Sequence, residues 1–443
     1  MLEKVFKLKA NHTTLRTELM AGITTFMTMA YILIVNPSIL SATGMDAGAV
    51  LTATAVASFI GTACMALFAN YPFALAPGMG LNAYFAYTVV LQYGYSWQVA
   101  LGAVFIEGII FILLSLVKVR EAIFNAIPKN LKAATSVGIG LFIAFIGLQN
   151  AKIIVGNDAT LVALGDVKSI SVALALVGTI ITIALVVRRV RGALLWGILI
   201  TWMLGIICQL TGLYVVNPEA GMYSLIPQKI FSLPPSIGPV FMKMDFKAAH
   251  ILDFAIVVFS FLFVDLFDTL GTLIGVSHKA GFLDKEGKLP HIKGALLADA
   301  VGTTAGAVLG TSTVTTYVES ASGVSDGGRT GLTSIVTGLL FLVALIFTPV
   351  ITVIPSFATA PALIVVGLFM LEHVTQIEFS DYTEGFPAFM TILMMVVSYS
   401  ISEGLVFGML SYVILKALSG RFKDLNPVMI IIGILFFIKL LVG

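Results

Sequence analysis

Two long uncharged stretches decide what this chain can fold into. There is no Asp, Glu, Lys or Arg between Asp46 and Glu107, and none between Arg329 and Glu372. Each stretch is long enough for about two bilayer crossings of roughly 20 apolar residues. Of the 443 residues, 58% are hydrophobic and only 11% are charged, whereas soluble domains carry more charge and fewer apolar residues. We therefore expect a polytopic membrane protein.

Uninterrupted apolar segments predict fourteen membrane segments in two sets of seven. The first set is residues 21–40, 50–68, 81–91, 100–117, 133–148, 172–187 and 193–210, and the second is 251–275, 294–309, 319–324, 332–347, 361–371, 387–399 and 405–418. The third and tenth segments are too short to cross alone. A last apolar piece, residues 427–442, either crosses again or lies at the interface.

Basic residues predict the orientation, because Lys and Arg accumulate in short cytoplasmic loops. With a cytoplasmic N-terminus, the basic clusters within 4–16, 118–132, 188–191 and 279–293 all fall on the cytoplasmic side. The N-terminal sequence lacks the pattern of a cleavable signal peptide. We expect a multi-pass plasma-membrane protein that keeps its first span.

Seven spans in the first half mean that the second half enters from the opposite side, so the predicted fold is all-α with two inverted repeats. The expected boundaries are a cytoplasmic N-terminus at 1–20, a first repeat at 21–211, an extracellular connection at 212–250, a second repeat at 251–418 and a C-terminal apolar segment at 419–443.

The two short segments carry the first functional signal. Pro77, Gly78 and Gly80 predict an extended stretch that gives way to a half-helix near the membrane midplane. Residues 311–317, which include Thr316, are rich in β-branched side chains and predict a second extended stretch. A helix then begins near Glu319 and is interrupted at Gly323. Two half-helices with their N-termini near the midplane would form a polar crevice; the alternative is that Gly and Pro only permit close packing.

Intramembrane acids are the second signal. Asp265, Asp268 and Thr269 share one face of the eighth span, and Glu319 begins the second half-helix. An ionised carboxylate at a helix centre costs about 2.5–3.5 kcal/mol on insertion scales, so such acids have a partner or a role. Crowded carboxylates should not all ionise together, so we assign Asp268, Asp265 and Glu319 to proton coupling.

Asn82 follows the glycine break and offers a neutral donor and acceptor for an uncharged polar ligand. We therefore predict substrate binding by Asn82, Asp265, Glu319 and Thr269, with a simple helix-start role as the alternative for Asn82. Glu107, Asp299 and Glu403 each stand alone in a span and are weaker candidates. The alternatives for each are to cap a helix, to pair with Ser or Thr, or to face the cytoplasm.

Other classes of function find little support. Cys64, Cys208 and five scattered histidines have no metal-site or disulfide spacing, so we expect no metal and no cofactor. We find neither a nucleophile–base constellation nor a basic, aromatic surface for nucleic acid. An enzyme, a channel or a carrier of another solute, such as an anion, are the alternatives to a secondary transporter.

From residues 17–37 onward the chain resembles the AzgA-like purine permeases, which belong to the nucleobase:cation symporter-2/nucleobase-ascorbate transporter superfamily. The motifs that carry the resemblance are LAPGMGLNAYF, FVDLFDTLGTLIGV, TSTVTTYVESASGVSDGGRTGL and TAPALIVVGLFM. The likeness covers nearly the whole chain.

This resemblance implies a UraA-like fold, with a core of spans 1–4 and 8–11 and a gate of spans 5–7 and 12–14. It implies that a purine base binds between spans 3, 8 and 10, hydrogen-bonded to Asp265 and Glu319, with Asn82 beside them and Asp268 supporting the site or taking the proton. The expected activity is proton-coupled import by alternating access. Guanine and hypoxanthine are favoured on family grounds and adenine is the alternative; the oligomeric state is open, with a homodimer among the arrangements considered.

Overall fold

A computed structural model describes residues 2–116, 127–217, 222–247, 251–283 and 289–442. Eleven helices among these residues are long and apolar enough to cross a membrane, and Tyr382–Val397 is a shorter apolar helix. Together with two half-helices they give the fourteen spans expected from the sequence.

The first seven spans run between the N-terminal segment and the central connection. Span 1 consists of Leu15–Met29 and Ile32–Ser41, and span 2 is Ala47–Phe68. Span 3 is a half-helix, Met79–Ala83, that continues as a π-helix over Tyr84–Gln92. Spans 4 to 7 are Trp97–Leu116, Lys129–Asn150, Ile170–Val187 and Ala193–Leu210. A short helix, Leu2–Phe6, precedes them, and strands β2 (Ile154–Asn157) and β3 (Leu161–Leu164) form a hairpin between spans 5 and 6.

The second seven spans follow the same order. Spans 8 and 9 are Ile251–Ala280 and Ile292–Leu309, and span 10 is the half-helix Ser320–Ser325. Span 11 is Gly331–Ala344, extended by short turns to Ile351, and spans 12 to 14 are Ser356–Leu371, Tyr382–Val397 and Ile401–Leu418. Strands β1 (Leu75–Pro77) and β4 (Val314–Thr316) precede the two half-helices. The C-terminal piece is a helix, Pro427–Val442, that packs on span 14.

Polar side chains start several of these helices. Asp46 accepts from the N–H of Ala49 at 2.7 Å and caps span 2, and Ser400 accepts from the N–H of Glu403 and caps span 14. Glu18 is fully buried and reaches from span 1 to the start of span 11, where it accepts from the hydroxyls of Thr330 and Thr333, both at 2.7 Å. A carboxylate at a helix N-terminus pairs with donors that have no partner inside the helix. Glu18 thus links the two repeats, a contact that was not predicted from the sequence.

The helices make their most extensive contacts within two sets. Span 9 packs on spans 2 and 4, and span 11 packs on spans 1 and 2. Span 5 packs on spans 12 and 13, span 6 on spans 7 and 12, and span 13 on span 14. The strands β1 and β4 and the half-helices lie beside spans 1, 2, 8 and 9, where most of the fully buried polar side chains are found.

Candidate functional site

The two extended segments cross and pair in the middle of the molecule. Strands β1 and β4 are antiparallel, with Leu75 opposite Thr316 and Pro77 opposite Val314. The ladder continues at both ends, where Gly78 N–H donates to Thr313 O at 3.0 Å and Tyr317 N–H donates to Ala74 O at 3.0 Å. Non-helical backbone at membrane depth needs partners within the protein. Here each repeat supplies the partners of the other.

Local sequence explains this geometry. Pro77 has no N–H and cannot continue a helix backward, and Gly78 has the extended backbone of a cap residue (φ −69°, ψ 131°). A Cβ at Gly78 would lie 2.6 Å from Thr315 Cγ2 and 3.3 Å from Asp268 Oδ2. The absence of a side chain therefore lets the start of span 3 approach β4 and the Asp268 carboxylate closely.

Thr269 joins two carboxyl groups at the centre of the site. Its hydroxyl lies 2.9 Å from Asp265 Oδ1, 2.7 Å from Asp299 Oδ1 and 2.7 Å from Thr315 Oγ1. All four side chains are almost entirely buried. Span 8, span 9 and β4 thus meet at one hydroxyl.

The hydrogens at Thr269 can be counted. A threonine hydroxyl donates one hydrogen and accepts others. It therefore donates to at most one of the two carboxyl groups. A proton on either Asp265 or Asp299 would let that group donate to Thr269 while Thr269 donates to the other. The arrangement is suited to holding one proton between two acids.

Asp268 and Glu319 are two further acids near the crossing, Asp268 beside Gly78 and Glu319 after β4. Asp268 is within electrostatic range of both Asp299 and Glu319. Glu319 precedes the half-helix Ser320–Ser325, and its Oε1 accepts from Tyr31 OH at 2.8 Å. The predicted acids of spans 8 and 10 are therefore brought together, with Asp299 added from span 9.

Asn82 lies in the first turns of span 3 and is fully buried. Its amide donates to Pro77 O at 3.3 Å, and its side-chain oxygen accepts from Ser312 Oγ. These bonds tie the start of span 3 to the segment before β4.

The remaining residues predicted at the two half-helix breaks, Gly80, Gly323 and Thr316, have defined places. Gly80 faces span 5, where a Cβ would lie 2.7 Å from Ile139 Cγ2. A Cβ at Gly323 would lie 2.1 Å from Thr25 Oγ1, so the second half-helix packs directly on span 1. Thr316 ends β4 opposite Leu75, and strand alternation turns Thr315 rather than Thr316 toward Thr269.

The weaker acids separate into different environments. Asp299 shares the Thr269 hydroxyl, and Glu107 Oε2 accepts from Thr313 Oγ1 at 2.7 Å, just before β4. Glu403 accepts from Tyr93 OH at 3.3 Å, at the far end of span 3. Among the residues that the structure describes, no group of three or more His, Cys, Asp or Glu has metal-ligand geometry.

Tyr31 and Thr315 were not singled out from the sequence, and Asp299 was named only as a weaker candidate. Asp299 was visible as a lone acid inside an apolar span, which is a signal in itself. Tyr31 and Thr315 gave no such signal, because their partners are 288 and 46 residues away in the chain.

Fourteen membrane segments in inverted repeats, with two half-helices meeting at buried carboxyl groups, define the class as a secondary transporter. Residues 16–407 match the model of a family described as Permease family. The chain therefore belongs to this permease family, which confirms the family expected from the sequence. It is a multi-pass membrane transporter rather than an enzyme.

Relatives and solved structures agree with this assignment. The chain is 52% identical to the putative permease MJ0326 of Methanocaldococcus jannaschii, over 99% of this chain and 98% of that protein. It is 45% identical to the adenine permease AdeP of Escherichia coli (99% and 96% covered) and 44% identical to the guanine/hypoxanthine permease PbuO of Bacillus subtilis (99% and 100%). The transmembrane domain of the cyanobacterial bicarbonate transporter BicA has the same fold, with a TM-score of 0.64, 17% identity and 89% and 97% coverage.

Proposed function

We propose that this protein imports purine nucleobases together with protons across the plasma membrane. The observation that carries the proposal is the convergence of Asp265, Asp268, Asp299 and Glu319 around the β1–β4 crossing. Carboxyl groups suit the N–H edges of a neutral base, and they repel an anion. Relatives named for adenine and for guanine and hypoxanthine support the substrate class.

In this proposal, Asp265 and Glu319 accept from the N–H groups of the base, with Thr269 and Asn82 fixing the surrounding geometry. The coupling proton resides on the Asp265–Thr269–Asp299 group or on Asp268. One charge moved through 100 mV is worth about 2.3 kcal/mol, so one proton sustains roughly fifty-fold accumulation of a neutral base. Spans 1–4 and 8–11 move as a core against a gate of spans 5–7 and 12–14, with the N-terminus in the cytoplasm.

Guanine and hypoxanthine are the substrates we favour. Both have a 6-oxo group and an N1–H, and a carboxylate can accept a hydrogen bond from this N1–H. Adenine has an acceptor at N1 and is the alternative, since the relatives named for the two specificities are almost equally similar to this chain.

The test is uptake of radiolabelled hypoxanthine into cells that lack their own purine carriers. Unlabelled guanine, adenine, xanthine and uracil serve as competitors, and a protonophore collapses the gradient. We expect accumulation that guanine blocks and the protonophore abolishes. Failure to accumulate any labelled base would refute the substrate class, and accumulation that survives the protonophore would refute proton coupling.

A variant links the site to this activity. Asp265→Ala should abolish uptake while leaving the protein in the membrane, as judged by immunoblot of membrane fractions. Normal uptake by the variant would remove Asp265 from the substrate site.

A further inference from the structure

Span 1 contributes a side chain to the site through an interruption in its helix. The helix Leu15–Met29 is separated from the helix Ile32–Ser41 by two residues, and Tyr31 is the second of them. Its side chain is 1% exposed. The family resemblance implies that span 1 belongs to the core, and none of its residues was predicted to bind substrate.

The tyrosine reaches the second repeat at the beginning of span 10. Tyr31 OH donates to Glu319 Oε1 at 2.8 Å, and Thr28 Oγ1, one turn earlier, lies 3.5 Å from Glu319 O. Span 1 also packs tightly on the half-helix, because Gly323 leaves no room for a Cβ against Thr25 and Ala21 O. The side chain of Glu319 is thus held by span 1, and the half-helix that follows it packs against the same span.

Glu319 needs such an anchor. It is the cap residue of a six-residue helix, and its own side chain makes no capping bond to that helix. A glutamate has three side-chain torsions, and fixing long side chains costs conformational entropy of up to about 2 kcal/mol. If a hydroxyl that is already rigid in the apolar core fixes the glutamate before a ligand arrives, ligand binding does not include this loss of side-chain entropy.

We propose that Tyr31 is a positioning residue for substrate binding, which fixes the Glu319 carboxyl group so that its other oxygen accepts from the purine. The proposal rests on the proposed function, since it assumes that Glu319 faces the base. A hydroxyl that donates to Glu319 also favours the acceptor form of this carboxyl group. Tyr31 then contributes to affinity without touching the base.

The experiment measures hypoxanthine binding to purified carrier by equilibrium binding of the radiolabelled base. The variants are Tyr31→Phe, which removes only the hydroxyl, and Tyr214→Phe as a matched control. Tyr214 is also buried and donates to a carbonyl, Tyr223 O at 3.1 Å, in the connection between the repeats. Thermal unfolding of each variant reports on folding separately.

We expect Tyr31→Phe to raise Kd about tenfold, the effect of losing one charge-assisted hydrogen bond, and Tyr214→Phe to leave it unchanged. In a Glu319→Gln background, the same Tyr31→Phe change should raise the logarithm of Kd by less than about half as much, because the charged partner is gone. Wild-type affinity in folded Tyr31→Phe would overturn the proposal, and so would a full tenfold loss in both backgrounds.

Two outcomes are kept apart. If wild-type carrier binds no purine, the proposed function fails; if it binds and Tyr31→Phe binds equally well, only the role of Tyr31 fails. Should Tyr31→Phe not fold, 4-aminophenylalanine and 4-methylphenylalanine at position 31 both fill the space of the hydroxyl, and only the first can donate. We expect near-wild-type Kd with the amino group and a Kd about tenfold higher with the methyl group, and equal binding by both would overturn the proposal.

Discussion

At the scale of single residues, the hydroxyl of Thr269 contacts three other polar side chains of the site. It touches Asp265, Asp299 and Thr315 at 2.7–2.9 Å in a buried environment. Removing the hydroxyl removes a hydrogen bond to one of the two carboxyl groups and an acceptor for the other polar groups, and losing a buried hydrogen-bond partner costs about 1–3 kcal/mol, more if the group is charged.

We therefore expect Thr269→Val, which keeps the shape of the side chain, to lower initial rates of hypoxanthine uptake at least about tenfold. The matched control is Thr201→Val in span 7, where the lost hydroxyl donates only to Gly197 O in its own helix. Rates are compared at equal amounts of protein in the membrane. Equal rates for the two variants would show that the shared hydroxyl is dispensable.

The sequence marks the intramembrane acids but not their hydrogen-bond partners. Asp265, Asp268 and Glu319 stand out because a charge in an apolar span requires a reason, and the structure brings them together at one crossing. The partners come from remote parts of the chain: Tyr31 lies in span 1 and Thr315 in β4. Neither residue type is unusual in a membrane span, so local pattern carries no information about these contacts.

At the scale of elements, the half-helix of span 3 touches a helix from the other packing set. Gly80 lies against Ile139 of span 5, and a Cβ there would approach within 2.7 Å. The breaks at Pro77 and Gly78 were predictable from the sequence, whereas the π-helix that follows over Tyr84–Gln92 was not. A π-helix differs from an α-helix in hydrogen-bond spacing, and apolar periodicity over nine residues does not resolve that difference.

Gly80→Ala should slow transport more than it weakens binding. The added methyl group overpacks the contact with Ile139, which typically costs about 1–3 kcal/mol, and movement between the two sets would have to overcome it. Gly271→Ala is the control, because nothing lies within 4 Å of a Cβ at that position in span 8. We expect a reduced maximal uptake rate with near-normal Kd for Gly80→Ala alone; an unchanged maximal rate would argue against motion at this contact.

At the scale of the whole molecule, two polar clusters at helix ends join distant parts of the chain. Arg191, between spans 6 and 7, donates to Asp326 Oδ1 at 2.6 Å, and Thr24 of span 1 donates to Asp326 Oδ2 at 2.6 Å. Near the end of span 14, Arg421 pairs with Asp381 and with Asp424, and the fully buried Lys416 pairs with Glu384 at 2.7 Å. The basic residues helped to predict orientation, but their individual partners were not predictable from loop composition.

The Arg191–Asp326 pair should matter for transport because it joins the proposed gate to the end of the second half-helix. The Arg191→Glu variant places a second carboxylate opposite that of Asp326, so it should lower the uptake rate. Combining Arg191→Glu with Asp326→Arg should restore much of that rate. Arg188→Glu, an exposed change in the same loop, is the control. A double variant no faster than Arg191→Glu would exclude this pairing from the transport cycle.

The second cluster predicts a pH dependence of stability. Hydrogen bonding to Arg421 holds the pKa of Asp381 well below its ordinary value of 3.8. Because the folded pKa is depressed, the stabilisation is complete above the unfolded pKa and is lost as the pH falls through the folded one. The thermal midpoint of wild type should exceed that of Arg421→Gln at pH 7, and this difference should shrink below about pH 4. Lys423→Gln serves as the control on the same segment, and a difference independent of pH would mean that Asp381 is not the partner that matters.

The pairing of β1 with β4 also has a consequence for biosynthesis. Pro77 and Tyr317, which bond across the crossing, are 240 positions apart. At about 5–20 residues per second, the ribosome needs on the order of tens of seconds to make the second strand after the first. During that interval the backbone of residues 75–78 lacks its final partners. The polar backbone groups of this segment therefore need temporary hydrogen-bond partners, such as water or a membrane chaperone, until the second repeat is made and β4 pairs with β1.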